Sequence, residues 1–393
     1  MNILIVKLSA IGDVIHALPA LAALRKSYPA ADITWVVEEA AADLLVGHPA
    51  LNRVIVSGRK RWLKQIKRGQ IASPLRQMRA FLRELRKRPY DLVVDFHGLL
   101  KSASIVALSG GRRKLGYDSL QELSGLFYNE KIPEEMGKHA VDRYLDFVRY
   151  LDGKEKGEEG NATFPEVGTP EFTIAVGEEE RRRVKDLLAP HSGILAAGRN
   201  GRTNAEADGG LEEQGREKTF ISQKQEPAWR SGPFVAISPV AFWETKLWED
   251  EKFAILCDRI KEELGIAIVM TGGEAGPLDR IQAWMKTNAV NLGGQTTLRE
   301  LACLYRQASL LITTDSGPMH LAAAVGTPVV ALFGPTDPAR TGPYGPGHRV
   351  IRGRLSCIPC FRKECETRSC MRGITVEEVF EAAKGVLEQR KVI

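Results

Sequence analysis

Short, uninterrupted aliphatic runs alternate along this chain with longer stretches whose apolar positions recur every three or four residues. Ile3–Val6, Ile33–Val37, Val54–Val56 and Leu92–Val94 are runs of strand length, the pattern of strands buried on both faces of a parallel sheet. Between the first two, Val14, Leu18, Leu21 and Leu24 mark the buried side of a helix predicted from Val14 to Lys26. A second series opens at Phe234–Ser238 and continues with Ile266–Met270, Leu310–Thr313 and Val329–Leu332. Helices are predicted near Asp250–Leu264, Leu278–Lys286 and Leu298–Ala308, with a last amphipathic helix from Val376 to Gln389. Strand–helix alternation of this kind implies right-handed βαβ units. The economical reading is an α/β protein of two Rossmann-like halves with a cleft between them, ligand chemistry lying at the strand ends.

The stretch between the two series breaks the pattern. Gly193 to Gln225 is nearly devoid of large apolar residues and cannot bury enough surface to offset its ordering entropy. The expected organisation is therefore a first domain over 1–152, a linker with a flexible insertion over 153–232, and a second domain over 233–393. A helix is expected near Glu178–Leu188.

Composition narrows the class. With 44% hydrophobic and 26% charged residues, the chain resembles ordinary globular proteins. No apolar stretch approaches the roughly 20 residues that span a bilayer, and the first residues read as a buried strand rather than a signal peptide. A cytoplasmic protein is expected. The net charge of +6 is concentrated: Arg59 to Arg88 holds twelve Lys or Arg and one acid, Glu84. Such a run suits nucleic acid, phosphate-rich lipid or an acidic glycolipid, or it is a solvated helix face, since Leu75, Met78, Leu82 and Leu85 recur at helical spacing. It contains Trp62 and Phe81 but no motif that reads nucleic acid, and no nucleic-acid partner is expected.

Cysteine usage adds one more cluster. Cys257 and Cys303 lie in apolar helical patterns, but Cys357, Cys360, Cys365 and Cys370 crowd a short segment. In a reducing compartment four such thiolates could close a tetrahedral zinc site; free thiols or labile disulfides are the alternatives.

The strand ends carry the candidate chemistry. Thr313-Thr314-Asp315-Ser316-Gly317-Pro318-Met319-His320 follows an apolar strand and opens a helix, with Pro318 suited to its first turn. Small residues there admit a ligand to the free helix N–H groups, which could hold two phosphates without a metal. Asp315 and His320 flank the turn within reach of sugar or ribose hydroxyls. Lys246, in Trp243-Glu244-Thr245-Lys246-Leu247-Trp248, could neutralise a pyrophosphate or sit on the surface. Asp13, after Lys7-Leu8-Ser9-Ala10-Ile11-Gly12, reads equally as a helix cap or as a carboxylate facing substrate.

Taken together, Lys7 to Pro19, the Asp315–His320 turn and Phe333-Gly334-Pro335-Thr336-Asp337-Pro338 resemble the lipopolysaccharide heptosyltransferases, glycosyltransferase family 9. Trp35-Val36-Val37-Glu38-Glu39, Gly98-Leu99-Leu100-Lys101-Ser102-Ala103 and His139-Ala140-Val141-Asp142-Arg143 make the first half most similar to heptosyltransferase I, whereas the Cys-rich segment resembles heptosyltransferase II. The resemblance implies a GT-B fold, two Rossmann-like domains facing a central cleft, and metal-independent, inverting transfer. Heptose would pass from ADP-heptose to a Kdo sugar on lipid A, or to a later core position in the heptosyltransferase II alternative. It implies Asp13 as general base. Lys246, Asp315, Ser316, Gly317, Met319 and His320 would bind the donor, and Lys60, Arg61, Lys64 and Arg143 the anionic acceptor. A peripheral enzyme at the inner face of the inner membrane is implied, with no cofactor beyond a possible structural zinc.

Overall fold

The first apolar runs pair side by side. In the computed structural model, residues 1–119, 121–155, 170–196, 220–222 and 232–393 are described. Asn2–Val6 (β1), Asp32–Glu38 (β2), Arg53–Ser57 (β3), Leu92–Asp95 (β4), Arg113–Tyr117 (β5) and Glu130–Ile132 (β6) form one sheet in the order β3-β2-β1-β4-β5-β6. Every pairing is parallel. Thr173–Ala175 (β7) and Phe220–Ser222 (β8) are short strands outside it.

The second series repeats this order. Phe234–Ser238 (β9), Ala267–Met270 (β10), Val290–Asn291 (β11), Leu310–Thr314 (β12), Val329–Phe333 (β13) and Arg349–Arg352 (β14) lie as β11-β10-β9-β12-β13-β14, again all parallel. In both sheets the chain steps one way from its first strand, then returns to that strand's other side. This leaves a crevice at the carboxyl ends of β1 and β4, and another at those of β9 and β12, where ligands bind in doubly wound folds.

The chain divides into two compact units, Met1–Ala175 and Val176–Ile393. The first packs Leu4, Val6, Val36, Val93 and Val106 into its core. The second buries Val235, Ile237, Phe253, Ile268 and Ile312 together with Val379, Phe380 and Ala383 of the C-terminal helix Val376–Gln389. The helix Glu178–Leu188 forms as expected, burying Val184 and Leu188. Most of the low-complexity stretch lies outside the described residues.

Three local expectations need correction. The helix expected from Val14 to Lys26 is two helices, Ile11–His16 and Leu18–Ser27, meeting at Ala17. Pro19 has no N–H for the Ile15 carbonyl and its ring crowds that oxygen, so a continuous helix is excluded. The strands β5, β6, β11 and β14 lack the apolar signature because they are short or carry charged residues near a sheet edge. The stripe Leu75, Met78, Leu82, Leu85 does lie on a helix, Ala72–Leu85, but only Leu82 and Leu85 meet the core. Leu75 and Met78 are exposed.

Candidate active site

In the first unit, β1 delivers Lys7 into the crevice. Its backbone is tied to β2, the Trp35 indole donating to the Lys7 carbonyl at 3.1 Å. The Lys7 ammonium is buried and donates to the Tyr144 hydroxyl at 2.7 Å and to the Phe96 carbonyl at 3.2 Å. Burial pulls its pKa below the usual lysine range, opposed by the attraction of Asp13 and Asp95 and assisted by the repulsion of Arg143. Those charges therefore share one neighbourhood.

Asp13 is the third residue of the helix Ile11–His16 rather than its cap. Its Oδ2 accepts the Ala10 N–H at 3.0 Å, satisfying one of the otherwise orphaned donors of the helix start. The side chain is half-buried. Arg143, on the helix Ala140–Glu155, is buried and ion-paired to Glu134 at 2.7 Å.

The end of β4 closes the other side of the crevice. Asp95 is wholly buried; it accepts the Tyr128 hydroxyl at 2.7 Å and the His97 N–H at 2.8 Å. Burial raises its pKa against those bonds. The His97 imidazole is pushed down to about 2 by burial and by the nearby cations Lys7, Lys101 and Arg59, so it stays neutral. Neither ring nitrogen has a hydrogen-bond partner among the described residues. Lys101 reaches across to the Ser9 hydroxyl at 3.3 Å, joining the β4 turn to the β1 turn that carries Asp13.

Glu38, at the end of β2, organises the next cations. Its buried carboxylate takes Arg59 on Oε1 at 3.0 Å and Lys60 on Oε2 at 3.1 Å. Arg61 pairs with Glu39 at 2.8 Å. Lys64 is exposed and makes no ion pair with a described residue. Glu38, Glu39, Ala40, Ser57 and Lys60 line a pocket of about 360 Å³. The arrangement is a basic crevice holding a helix-start carboxylate, suited to an anionic, hydroxyl-bearing substrate.

In the second unit, the carboxyl end of β12 places Asp315 against the turn that follows β9. Lys246, in the short 3-10 turn Glu244–Lys246, meets Asp315 Oδ2 at 2.6 Å. Thr336, in the turn after β13, donates to the same oxygen at 2.6 Å. The Lys246 ammonium also lies 4.5 Å from the centre of the Trp243 ring, a cation–π contact. Ser316 caps the helix Gly317–Ala324 with extended backbone, and its hydroxyl donates to the Thr314 carbonyl rather than accepting a helix N–H. Ser316 and Gly317 remain half-exposed, whereas Met319 and His320 are buried. The Met319 N–H donates to the Ser316 carbonyl at 3.1 Å. A lysine, a carboxylate and a helix N-terminus thus meet at the strand ends, and the lysine and the helix N-terminus are groups suited to an anion.

The family model for glycosyltransferase family 9 (heptosyltransferase) matches residues 78–167 and 195–370. The chain belongs to glycosyltransferase family 9. It is 30% identical over 374 residues to lipopolysaccharide heptosyltransferase 1 of Pseudomonas aeruginosa, covering 93% of this chain and 87% of that one. The Escherichia coli heptosyltransferase WaaC, solved with ADP, matches with a TM-score of 0.69 at 25% identity over 98% of this chain and all of that one. The same enzyme with ADP-2-deoxy-2-fluoro heptose matches at 0.67 and 25% identity, over 99% of this chain and 100% of that one. This family 9 protein is thus a glycosyltransferase of the heptosyltransferase group, with the two Rossmann-like units of the GT-B fold.

Several residues of these two crevices are weakly marked in the sequence. Lys7 and Lys101 stand inside recognisable motifs, but nothing in their spacing marks them as facing one crevice. Glu38, Asp95 and His97 are polar residues at strand ends, and that position is the signal that finds them. Thr336 is tied to Asp315 across 21 residues by sheet order alone.

The clustered cysteines are all free thiols; Cys357 and Cys365 are exposed, Cys360 is half-buried and Cys370 is buried. Among the described residues no three His, Cys, Asp or Glu side chains are arranged to hold a metal ion. The segment braces the turns that follow β9 and β13. The Cys360 and Phe361 N–H groups donate to the Pro335 carbonyl at 2.9 and 2.8 Å. Thr245 donates to the Arg362 carbonyl at 2.8 Å, and Lys363 lies 5.4 Å from the Trp243 ring centre.

Proposed function

We propose that this chain transfers L-glycero-D-manno-heptose from ADP-heptose to a Kdo residue of the lipid A-linked inner core, with inversion and without a metal. The observation that carries the reading is the Lys246–Asp315 pair at the start of the helix Gly317–Ala324. On this reading the ADP diphosphate takes over Lys246 and meets the helix N–H groups, while Asp315 is released to a sugar hydroxyl. The full-length likeness to a heptosyltransferase 1, and the ADP-heptose analogue bound by WaaC, support heptose as the transferred sugar.

In the reaction, the acceptor hydroxyl oxygen bonds to the anomeric carbon from the face opposite the phosphate. The carbon–oxygen bond to ADP breaks as it does so. Asp13 takes the hydroxyl proton as general base, and Lys246 offsets the charge that grows on departing ADP. Lys60, Arg61, Lys64 and Arg143 would hold the acceptor's carboxylates and phosphates, an anionic glycolipid reached from the inner face of the inner membrane. The deciding experiment follows ADP release from ADP-heptose with Kdo-terminated lipid A and EDTA present. Turnover that Asp13→Ala abolishes, while ADP-heptose binding survives, supports the reading; no turnover on Kdo but turnover on a heptosylated core would move the enzyme to the later step. The Cys-rich segment 357–370 is the feature that favours that second reading.

A further inference from the structure

The apolar stripe on the helix Ala72–Leu85 leaves the body of the protein as it is followed backwards. Leu85 is wholly buried and Leu82 partly so, but Met78, Leu75 and Ile71 are 37%, 44% and 61% exposed. These five positions recur at intervals of four and three residues, so they form one continuous line on the helix. The preceding helix, Arg59–Lys67, packs beside it through Trp62, whose ring meets Phe81 at 5.7 Å and whose indole donates to Gln77 at 2.9 Å. That helix leaves Leu63 and Ile66 exposed. The hairpin is therefore pinned to the core at one end and presents five aliphatic side chains to solvent.

The same hairpin is rich in cations. Lys64, Lys67, Arg68, Arg76, Arg79 and Arg83 make no ion pair with a described residue, while Arg59, Lys60 and Arg61 are held by Glu38 and Glu39. Isolated exposed aliphatics are ordinary, but five on one helical hairpin interspersed with unpaired cations are not. A second copy of the chain would bring these cations against one another. A nucleic-acid backbone would answer the charges and leave the aliphatics in water. An anionic bilayer answers both, headgroups meeting the cations and acyl chains the aliphatics.

We propose that the hairpin Arg59–Leu85 is a membrane-docking element, inserting Leu63, Ile66, Ile71, Leu75 and Met78 into the headgroup–acyl boundary of an anionic bilayer. The inference rests on the reading of a lipid-linked acceptor for its purpose, but lipid binding itself is testable with no acceptor present. The full chain is incubated with vesicles of phosphatidylglycerol and phosphatidylcholine, or of phosphatidylcholine alone, and the bound fraction is measured by sedimentation. Two variants are compared: Ile71→Asn/Leu75→Ser/Met78→Ser and Arg76→Gln/Arg79→Gln/Arg83→Gln, each checked for native circular dichroism.

The wild type is expected to bind only the anionic vesicles. The aliphatic variant should lose at least about tenfold in partitioning, a loss of roughly 1.4 kcal/mol, and keep its turnover on a water-soluble deacylated acceptor while losing it on vesicle-embedded acceptor. The arginine variant should bind more weakly and with a shallower salt dependence. Equal partitioning of wild type and aliphatic variant would overturn the proposal. So would dimerisation, seen by sedimentation velocity, that the aliphatic variant abolishes, or steeply salt-dependent binding to DNA with none to vesicles. Failure to turn over either acceptor would count against the proposed reaction and leave the vesicle result to decide the docking element separately.

Discussion

With side chains only 16% and 5% exposed, Lys246 and Asp315 meet at 2.6 Å, and a pair so placed holds a cation ready where a solvated lysine would wander. Such a pair is costly to break from one side, because the remaining charge is left uncompensated. Lys246→Ala is therefore expected to weaken ADP binding and to slow transfer by about 10²–10³-fold, the usual effect of removing one preorganised donor to a developing charge. The acceptor KM should not move. Titration calorimetry with ADP beside steady-state kinetics checks both parts, and an unchanged ADP affinity would remove Lys246 from the donor site. A second prediction concerns His48, which is buried with its ring bonded to the Thr173 carbonyl at 3.0 Å and its pKa pushed down to about 4 by burial. The unfolded chain binds this proton near pH 6.5 and the folded one does not. Stability contributed by the neutral ring is thus present above pH 6.5 and lost progressively as the pH falls towards 4. Urea midpoints across that range should fall more steeply for wild type than for His48→Gln; parallel slopes would contradict it.

At the scale of elements, the cysteine-rich segment ties two turns together through its backbone and packs Cys370 and Met371 into the core. It bonds the turn after β13 through Pro335 and the Lys246 turn through Thr245, so the two loops share one brace. Gly334 lies so close beneath it that a Cβ there would meet Met371 Sδ at 2.7 Å and Cys370 Sγ at 3.0 Å. Gly334→Ala should consequently overpack this junction and cost about 1–3 kcal/mol of stability. ADP affinity should fall with it, since Thr336 stands on the displaced turn and bonds Asp315. Urea unfolding and calorimetry would measure the two effects together; an alanine variant as stable as wild type would mean the brace yields freely. The break at Ala17 belongs to the same scale, since Pro19 turns one expected helix into two, the short first one carrying Asp13.

For the whole molecule, two units with separate cores imply that a nucleotide held by one stabilises that one. ADP at about a hundred times its Kd should add about 2.7 kcal/mol to the stability of the unit that binds it. Hydrogen exchange should then slow at the amides of 238–247, 313–320 and 333–337, and not in the β1 and β4 turns. Protection centred on 7–13 and 95–101 instead would transfer the nucleotide to the first unit and reverse the assignment of donor and acceptor halves.

Much of this was written in local pattern. Buried parallel strands announce themselves because both faces must be apolar, so the central strands β1, β2, β4, β9, β10, β12 and β13 stand out, and with them the turns carrying Asp13, Asp315 and Ser316. Helix starts and their small residues are equally local, because capping depends on near neighbours. The edge strand β3 shows as Val54–Val56, but β5 and the edge strands β6, β11 and β14 escaped notice, being short or carrying charge near a half-solvated edge. What only the tertiary structure decided were relations between distant residues: Lys246 on Asp315, Thr336 on the same oxygen, Lys101 on Ser9, and Glu38 under Arg59 and Lys60. It also decided which half of one apolar stripe is covered, from Leu85 in the core to Ile71 in solvent. Periodicity depends on a residue's own helix, whereas burial and pairing depend on what the sheet order brings to it.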